Sequence, residues 1–380
     1  MKAIIFIPII LLYFAANFYV FHRLWVAMPP NLIGRICLIS FASIAILSLF
    51  ISFLAGDAMP VGMASFFYRI GTSWVFILIY AFIVIFFKDL FGLTNRVLHF
   101  MPSDALTRYT KDNWMGLGLM VGFIAMLMIC GYLKYQWKVR VPLSLTIEKT
   151  MADSSLFRPL RIVAISDLHL GYGINKKELE GWIDLINAEE PDIVLIAGDI
   201  IDNSIRPLNE GNFAESFKKI KAPMGIYACM GNHEYISGAK ESMDFINRAG
   251  IHLLRDSVAE IDSCFYIVGR EDRSNLRRKP LTDLVANLDK SKPIIVLDHQ
   301  PYNLEKTEAA DVDLQISGHT HQGQVWPISM ITNALYEIDH GYLKKGNTNI
   351  YVSSGIGLWG GKFRIGTQSE YVVIDINKKL

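Results

Sequence analysis

The sequence predicts a two-part chain, an N-terminal region of four transmembrane helices followed by a layered α/β domain. Of its 380 residues 52% are hydrophobic, too large a share for an ordinary soluble enzyme. The N-terminal third holds four apolar stretches, each near the ~20 residues that cross a bilayer as a helix. From about Val139 onward, short apolar runs alternate with amphipathic segments of helical period, the pattern of strands and helices stacked in layers.

The four stretches run from Ala3 to Phe21, Ile36 to Ala55, Ile70 to Phe87 and Trp114 to Tyr132. The Met-Lys start and first apolar run lack a clear small-residue cleavage site, so they read as a first span rather than a signal peptide. Trp25, Tyr68, Trp114, Tyr132, Tyr135 and Trp137 lie at the ends of the runs, where amphipathic rings favour the headgroup level. No Asp, Glu, Lys or Arg falls well inside a stretch, which argues for an anchor and against a transport path. The Lys and Arg residues flanking the stretches are balanced between the two sides, so the sequence does not orient the chain. A net charge of +1 gives no field that would recruit nucleic acid. The four cysteines form no Cys-x-x-Cys pair; Cys37 and Cys130 fall in apolar stretches, and Cys229 and Cys264 read as buried thiols.

Composition divides the chain into a transmembrane region over 1–138, a linker over 139–158 and a globular domain over 159–380. In that domain strands are expected at Arg161–Ile165, Asp192–Ala197, Gly225–Met230, Cys264–Val268, Pro293–Leu297, Asp313–Ser317, Asn349–Ser353 and Tyr371–Ile376. Between Lys176 and Glu189, residues Leu179, Trp182, Ile183 and Ile186 share one helical face; 239–249 and 281–288 look similar.

Five of the strand-like runs end in metal-binding side chains. They lead into Asp167 and His169, into Asp199, into Asn232 and His233, into Asp298 and His299, and into His319 and His321. Any one cluster alone is a common turn or surface pair. Five in order, each after a strand, would converge on the crevice beyond the carboxyl ends of a sheet.

At Ser166-Asp167-Leu168-His169, Gly198-Asp199, Gly231-Asn232-His233-Glu234, His299 and Gly318-His319-Thr320-His321 the chain resembles the calcineurin-like metallophosphoesterases, over essentially all of residues 160–376. The resemblance implies a four-layer αββα sandwich and a two-metal hydrolytic site. It implies one ion held by Asp167, His169, Asp199 and His321, and a second by Asp199, Asn232, His299 and His319, with Asp199 bridging. Two such ions, about 3.5–4 Å apart, activate a water and neutralise charge on the phosphoryl oxygens. Carboxylate, imidazole and amide donors without thiolate suit Mn, Fe or Zn. His233 is implied as the group that protonates the leaving oxygen, and Asp202 either orients it or caps the next segment. Glu234 reads as structural. The continuation from Gln322 to Pro327, with Gly355-Ile356-Gly357, is similar to the membrane-attached branch that includes UDP-2,3-diacylglucosamine hydrolases; Gln322 stands where that branch often has Gly.

Weaker signals follow. The run from Gly269 to Lys279 could present guanidinium groups to a phosphate, with Arg270 the first candidate for substrate binding, or be a solvated loop. Gly355, Gly357, Gly360 and Gly361 read as turn glycines as readily as ligand contacts, and Trp326 and Trp359 as core rings as readily as acyl contacts. The expected function is hydrolysis of a phosphate ester or diphosphate of a membrane lipid or lipid-linked substrate by a multi-pass membrane protein, without nucleic-acid binding. A tethered phosphodiesterase or phosphatase for soluble nucleotides or phosphoproteins is the alternative, and a non-catalytic membrane sensor or scaffold a second.

Overall fold

A computed structural model of the protein describes residues 2–102, 113–147, 149 and 160–378. The chain divides into two units, Met1–Tyr132 and Leu133–Leu380.

Helices α1 (Lys2–Ala27), α2 (Leu32–Ala55), α3 (Val61–Leu98) and α4 (Trp114–Gln136) are long and apolar enough to cross a membrane, as expected of a multi-pass membrane protein. Small residues let them approach closely: a Cβ on Gly71 of α3 would sit 2.4 Å from the Leu49 backbone of α2. The buried Trp74 indole N–H donates to Asn17 Oδ1 at 2.8 Å, so a polar pair joins α1 to α3. The helices outrun the apolar stretches. α3 has 38 residues, because helical backbone continues beyond the part of the chain that is apolar on every side. Arg23 and Asp89 therefore lie inside α1 and α3, where they pair with each other and with the Tyr19 hydroxyl. Tyr68, expected at a span end, is fully buried in α3 with its ring 6.1 Å from that of Phe53. All four cysteines are free, Cys37 and Cys130 exposed, Cys229 and Cys264 buried.

The second unit is built on two six-stranded sheets. The first has the order β1 (Lys138–Ile147), β12 (Ser369–Lys378), β2 (Leu160–Ile165), β3 (Ile193–Ile196), β4 (Ile226–Cys229), β5 (His252–Leu254). The second runs β10 (Gly341–Lys345), β11 (Thr348–Val352), β9 (Leu314–Ser317), β8 (Ile294–Leu297), β7 (Phe265–Gly269), β6 (Ser257–Ile261). The strands that carry the polar clusters, β2, β3 and β4 in one sheet and β8 and β9 in the other, run parallel to their neighbours within each group. Parallel strands covered on both faces are apolar throughout, which is why the sequence shows them as continuous Ile/Val/Leu runs.

Successive residues of β2 serve two cores. Ile162 and Ala164 face the second sheet and join Ile193, Leu195, Ile295, Leu297, Leu314 and Ile316. Val163 and Ile165 face outward and pack with Leu179, Trp182, Ile183 and Ile186 of helix Lys176–Ala188. On the far side, Val268, Ile294 and Val296 pack under Leu281 and Val285. The result is the four-layer αββα sandwich.

The expected linker differs. Residues 138–147 form β1, in parallel register with β12 from Lys138↔Ser369 to Ile147↔Lys378. Its inward positions Val141, Leu143, Leu145 and Ile147 alternate with outward ones, and Pro142 is tolerated because β1 is a sheet edge. The rest of the expected linker apart from Lys149, residues 148 and 150–158, lies outside the described residues.

Candidate metal centre

The loops leaving β2, β3, β4, β8 and β9 gather their polar side chains at one place. Asp167, His169, Asp199, Asp202, His299 and the glycine-flanked turns around them are buried. Asp167, His169 and His321 offer ligand atoms within 4.8 Å of one another, and so do Asp199, His299 and His319. Asp199 lies between the two groups, with Oδ2 3.1 Å from His299 Nε2 and 3.6 Å from His169 Nε2. Asn232 Oδ1 is 3.2 Å from His299 Nε2, on the second group.

The donor set suits cations better than internal pairing. His169 and His321 turn their Nε2 atoms toward one another at 3.0 Å. Asp167 Oδ1 is 3.9 Å from the first and 3.6 Å from the second, beyond hydrogen-bond length. Lone pairs directed at a common point, with carboxylates standing around it, are what a divalent ion would fill. The orientation of His299 fits as well: its Nδ1 is 2.8 Å from the Ala197 carbonyl, which only accepts, so Nδ1 carries a proton and Nε2 is the nitrogen turned toward Asp199, free to serve as a ligand atom once it gives up its proton. The described residues thus form two clusters, joined through Asp199 and His169, that could hold two ions.

Backbone geometry aims these ligands. Asp167, His169, Asp199, His319 and His321 all have positive φ, between 46° and 71°. Left-handed backbone is uncommon outside glycine, and Asp and His tolerate it better than most residues. Tight glycines let the loops close: a Cβ on Gly231 would meet Asp199 Oδ1 at 2.1 Å, and one on Gly318 would meet Asp167 Oδ2 at 2.3 Å. Amides of the opposing loops then hold the carboxylates, with His319 N–H donating to Asp167 at 3.0 Å and His233 N–H to Asp199 at 2.9 Å.

His233 lies beside both groups. One of its ring nitrogens comes within 4.8 Å of ligand atoms of His169 and Asp199, and its Nδ1 is 2.8 Å from the Asp202 carbonyl. A carbonyl only accepts, so Nδ1–H is the donor and Nε2 the nitrogen that titrates. Burial works against the charged ring, but Asp199 and Asp202 outweigh it and push His233 up to about 9. The Asp202 carboxylate is 3.4 Å from His233 Nδ1 and 3.5 Å from His169 Nδ1. Despite burial, hydrogen bonds from these two rings hold it down to about 2. Burial, then the neighbouring His299, lowers His319 to about 4, which keeps its lone pair available.

Other predicted positions resolve differently. Asp298 turns away from the centre to Arg270 and Arg278. Arg270 donates to Asp298 at 3.4 Å and to the Lys279 carbonyl at 2.9 Å, so it lines a neighbouring pocket. Glu234 is structural: its buried carboxylate accepts from the amides of Gly231, Asp199 and Ile201 at 2.7, 3.1 and 3.0 Å, joining two ligand loops. Trp326 is half exposed.

Arg364 escaped the sequence reading. It is 1% exposed and donates to the carbonyls of His321 at 2.7 Å, Ser354 at 2.6 Å and Gly357 at 3.0 Å, tying the last ligand loop to the glycine-rich turn. Nothing in a lone Arg between Phe363 and Ile365 marks it as buried. Replacing it with Met leaves those carbonyls unpaired. We expect Arg364→Met to destabilise the domain by on the order of 3 kcal/mol, read as a lowered Tm, and to weaken metal retention at His321.

Comparison with known proteins places this centre in a family. The model of the calcineurin-like phosphoesterases matches residues 160–323. The chain is 31% identical over 227 residues to an uncharacterized metallophosphoesterase of Aquifex aeolicus, across 58% of this chain and 86% of that one. It is 32% identical over 232 residues to an uncharacterized metallophosphoesterase of Campylobacter jejuni, across 59% of this chain and only 61% of the relative's length. A Danio rerio transmembrane protein with metallophosphoesterase domain matches at 27% identity over 307 residues, 76% of this chain and 69% of that one. The chain belongs to the calcineurin-like metallophosphoesterase family.

Proposed function

We propose that the chain is a membrane-anchored, two-metal phosphoesterase that hydrolyses a phosphate ester or diphosphate bond of a lipid-linked substrate. The observation that carries this reading is the Asp199 carboxylate between His299 and His169. In this reading Asp167, His169, Asp199 and His321 hold one ion, and Asp199, Asn232, His299 and His319 the other. The two cations, when bound, supply Lewis acidity toward the phosphoryl oxygens and the attacking water.

The chain's own residues do the rest. His233, with Nδ1–H held by Asp202, directs Nε2 to the leaving oxygen and gives it a proton. Asp202 fixes that orientation and, through its carboxylate, favours the charged ring. Arg270, which lines a pocket with Asp298, is the candidate for holding substrate. The four apolar helices support a lipid-linked substrate, because tethering raises the effective concentration of the site on molecules held in the same bilayer. A diphosphate joining a nucleoside to an acylated sugar, as in UDP-2,3-diacylglucosamine, is the finer form of the proposal.

Detergent-solubilised full-length protein loaded with Mn²⁺ tests it. Hydrolysis of bis-p-nitrophenyl phosphate, and faster turnover of a micellar lipid diphosphate than of a cyclic nucleotide, are expected. No hydrolysis of any of the three would sink the proposal, and a preference for the cyclic nucleotide would transfer it to soluble substrates.

A further inference from the structure

A pocket of about 460 Å³ opens on the second sheet, between the loop after β7 and the helix Leu304–Ala309. Its lining is unbalanced in charge. Arg270, Arg273, Arg278, Lys279 and Lys306 face a single carboxylate, Asp298. That carboxylate takes hydrogen bonds from Arg270 and Arg278, and with Asp256, which also acts on Arg270, it leaves about three of the five cations uncompensated. Arg273 lies over the Tyr302 ring at 4.4 Å from its centroid. Among the described residues, none of Arg273, Lys279 and Lys306 has an ion pair. The Nε–H groups of Arg270 and Arg278 are buried without an acceptor. A buried donor left unpaired costs about 1–3 kcal/mol, a cost that an anion accepting from these groups would relieve.

The pocket adjoins the metal centre through two routes. Asp298 directly precedes the ligand His299 at the end of β8. Tyr302, under Arg273, donates its hydroxyl to that of Tyr336 at 3.0 Å, and the Tyr336 ring stands 6.4 Å from the His319 ring.

We propose that this pocket is a second phosphate subsite, which receives a phosphate group of the substrate other than the one being hydrolysed. The inference rests on the phosphoesterase reading and narrows its substrate class to molecules carrying at least two phosphate groups. Guanidinium groups in a planar fork suit phosphate oxygens, and a phosphate dianion would offset the excess positive charge that Asp298 leaves. A substrate whose single phosphate is held at the metal centre would leave the pocket unfilled.

Two measurements on full-length, detergent-solubilised protein test this. Calorimetric titration of the Mn²⁺-loaded chain with inorganic phosphate should count two sites. One is lost in Asp199→Ala and the other in the double variant Arg273→Gln/Lys306→Gln. The second measurement compares thymidine 5′-(p-nitrophenyl phosphate) with and without a 3′-phosphate. The 3′-phosphate should raise kcat/KM by about tenfold or more, the worth of one or two charge-assisted hydrogen bonds, and the double variant should lose that advantage. Both sites persisting in the double variant would overturn the subsite. Equal rates on the two esters would also overturn it, leaving the phosphoesterase reading intact. A pocket that binds phosphate while the esters react equally is a free-phosphate site only. Failure of both esters to react, with the phosphate count unchanged, would sink the phosphoesterase reading instead.

Discussion

Asp199→Ala is expected to abolish turnover and to leave the purified protein with less than one equivalent of metal per chain. Asp199 stands within reach of both ion clusters, with Oδ2 at 3.1 Å from His299 Nε2 and 3.6 Å from His169 Nε2. In the proposed ligand set, removing it takes a charged donor from both positions at once and leaves four imidazoles and Asn232 with Asp167 as the remaining carboxylate. Loss of this oxygen differs from loss of any terminal ligand, which would weaken one ion first. Elemental analysis of the purified variant beside wild type, with circular dichroism to confirm folding, is the measurement. A variant that holds two equivalents of metal would remove Asp199 from the bridging position.

His233→Ala should keep metal and slow turnover by ~10²–10⁴, the usual share of a general acid. The size of the loss should depend on the leaving group. An alkoxide needs the proton that His233 gives, whereas p-nitrophenolate departs well without it, so the variant should lose far more on alkyl esters. The pH profile carries the same signature. His233 gives a proton only while its ring is protonated, so the wild-type rate on alkyl esters should fall as pH rises through the pKa of that ring, which the Asp202 partner helps to raise. That basic limb should be absent from the variant. The sign for stability is the same: a raised pKa stabilises the fold fully below the ordinary histidine value near 6.5, and the contribution is lost as pH rises through about 9. Metal loss in His233→Ala equal to that in Asp199→Ala would instead make His233 a ligand, as its approach to His169 and Asp199 permits.

Much of the domain was legible because burial writes itself into parallel strands. The eight expected strands each overlap an observed one, from β2 at Leu160–Ile165 to β12 at Ser369–Lys378. Short or half-exposed strands were not: β5 has three residues, and β6 and β10 are partly solvated, so their composition resembles loop. β1 is the instructive omission. Val139, Val141, Leu143, Leu145 and Ile147 alternate along it as a strand should, but Pro142 and the adjoining apolar helix make the run look like a connector. The residues implied for the centre come together because each polar cluster directly follows a strand. Arg364 was not legible, since burial of a guanidinium depends on carbonyls supplied by distant loops.

The positive φ values at Asp167, His169, Asp199, His319 and His321 have a consequence for substitution. At these positions the main chain screens replacements before coordination chemistry does. A branched side chain such as Val or Thr would meet its own peptide group, whatever its affinity for an ion. Asparagine, isosteric with aspartate and at ease in that conformation, should preserve the loop while weakening the charge. Exchanges at 167 and 199 can therefore separate shape from electrostatics, a distinction that alanine scanning blurs.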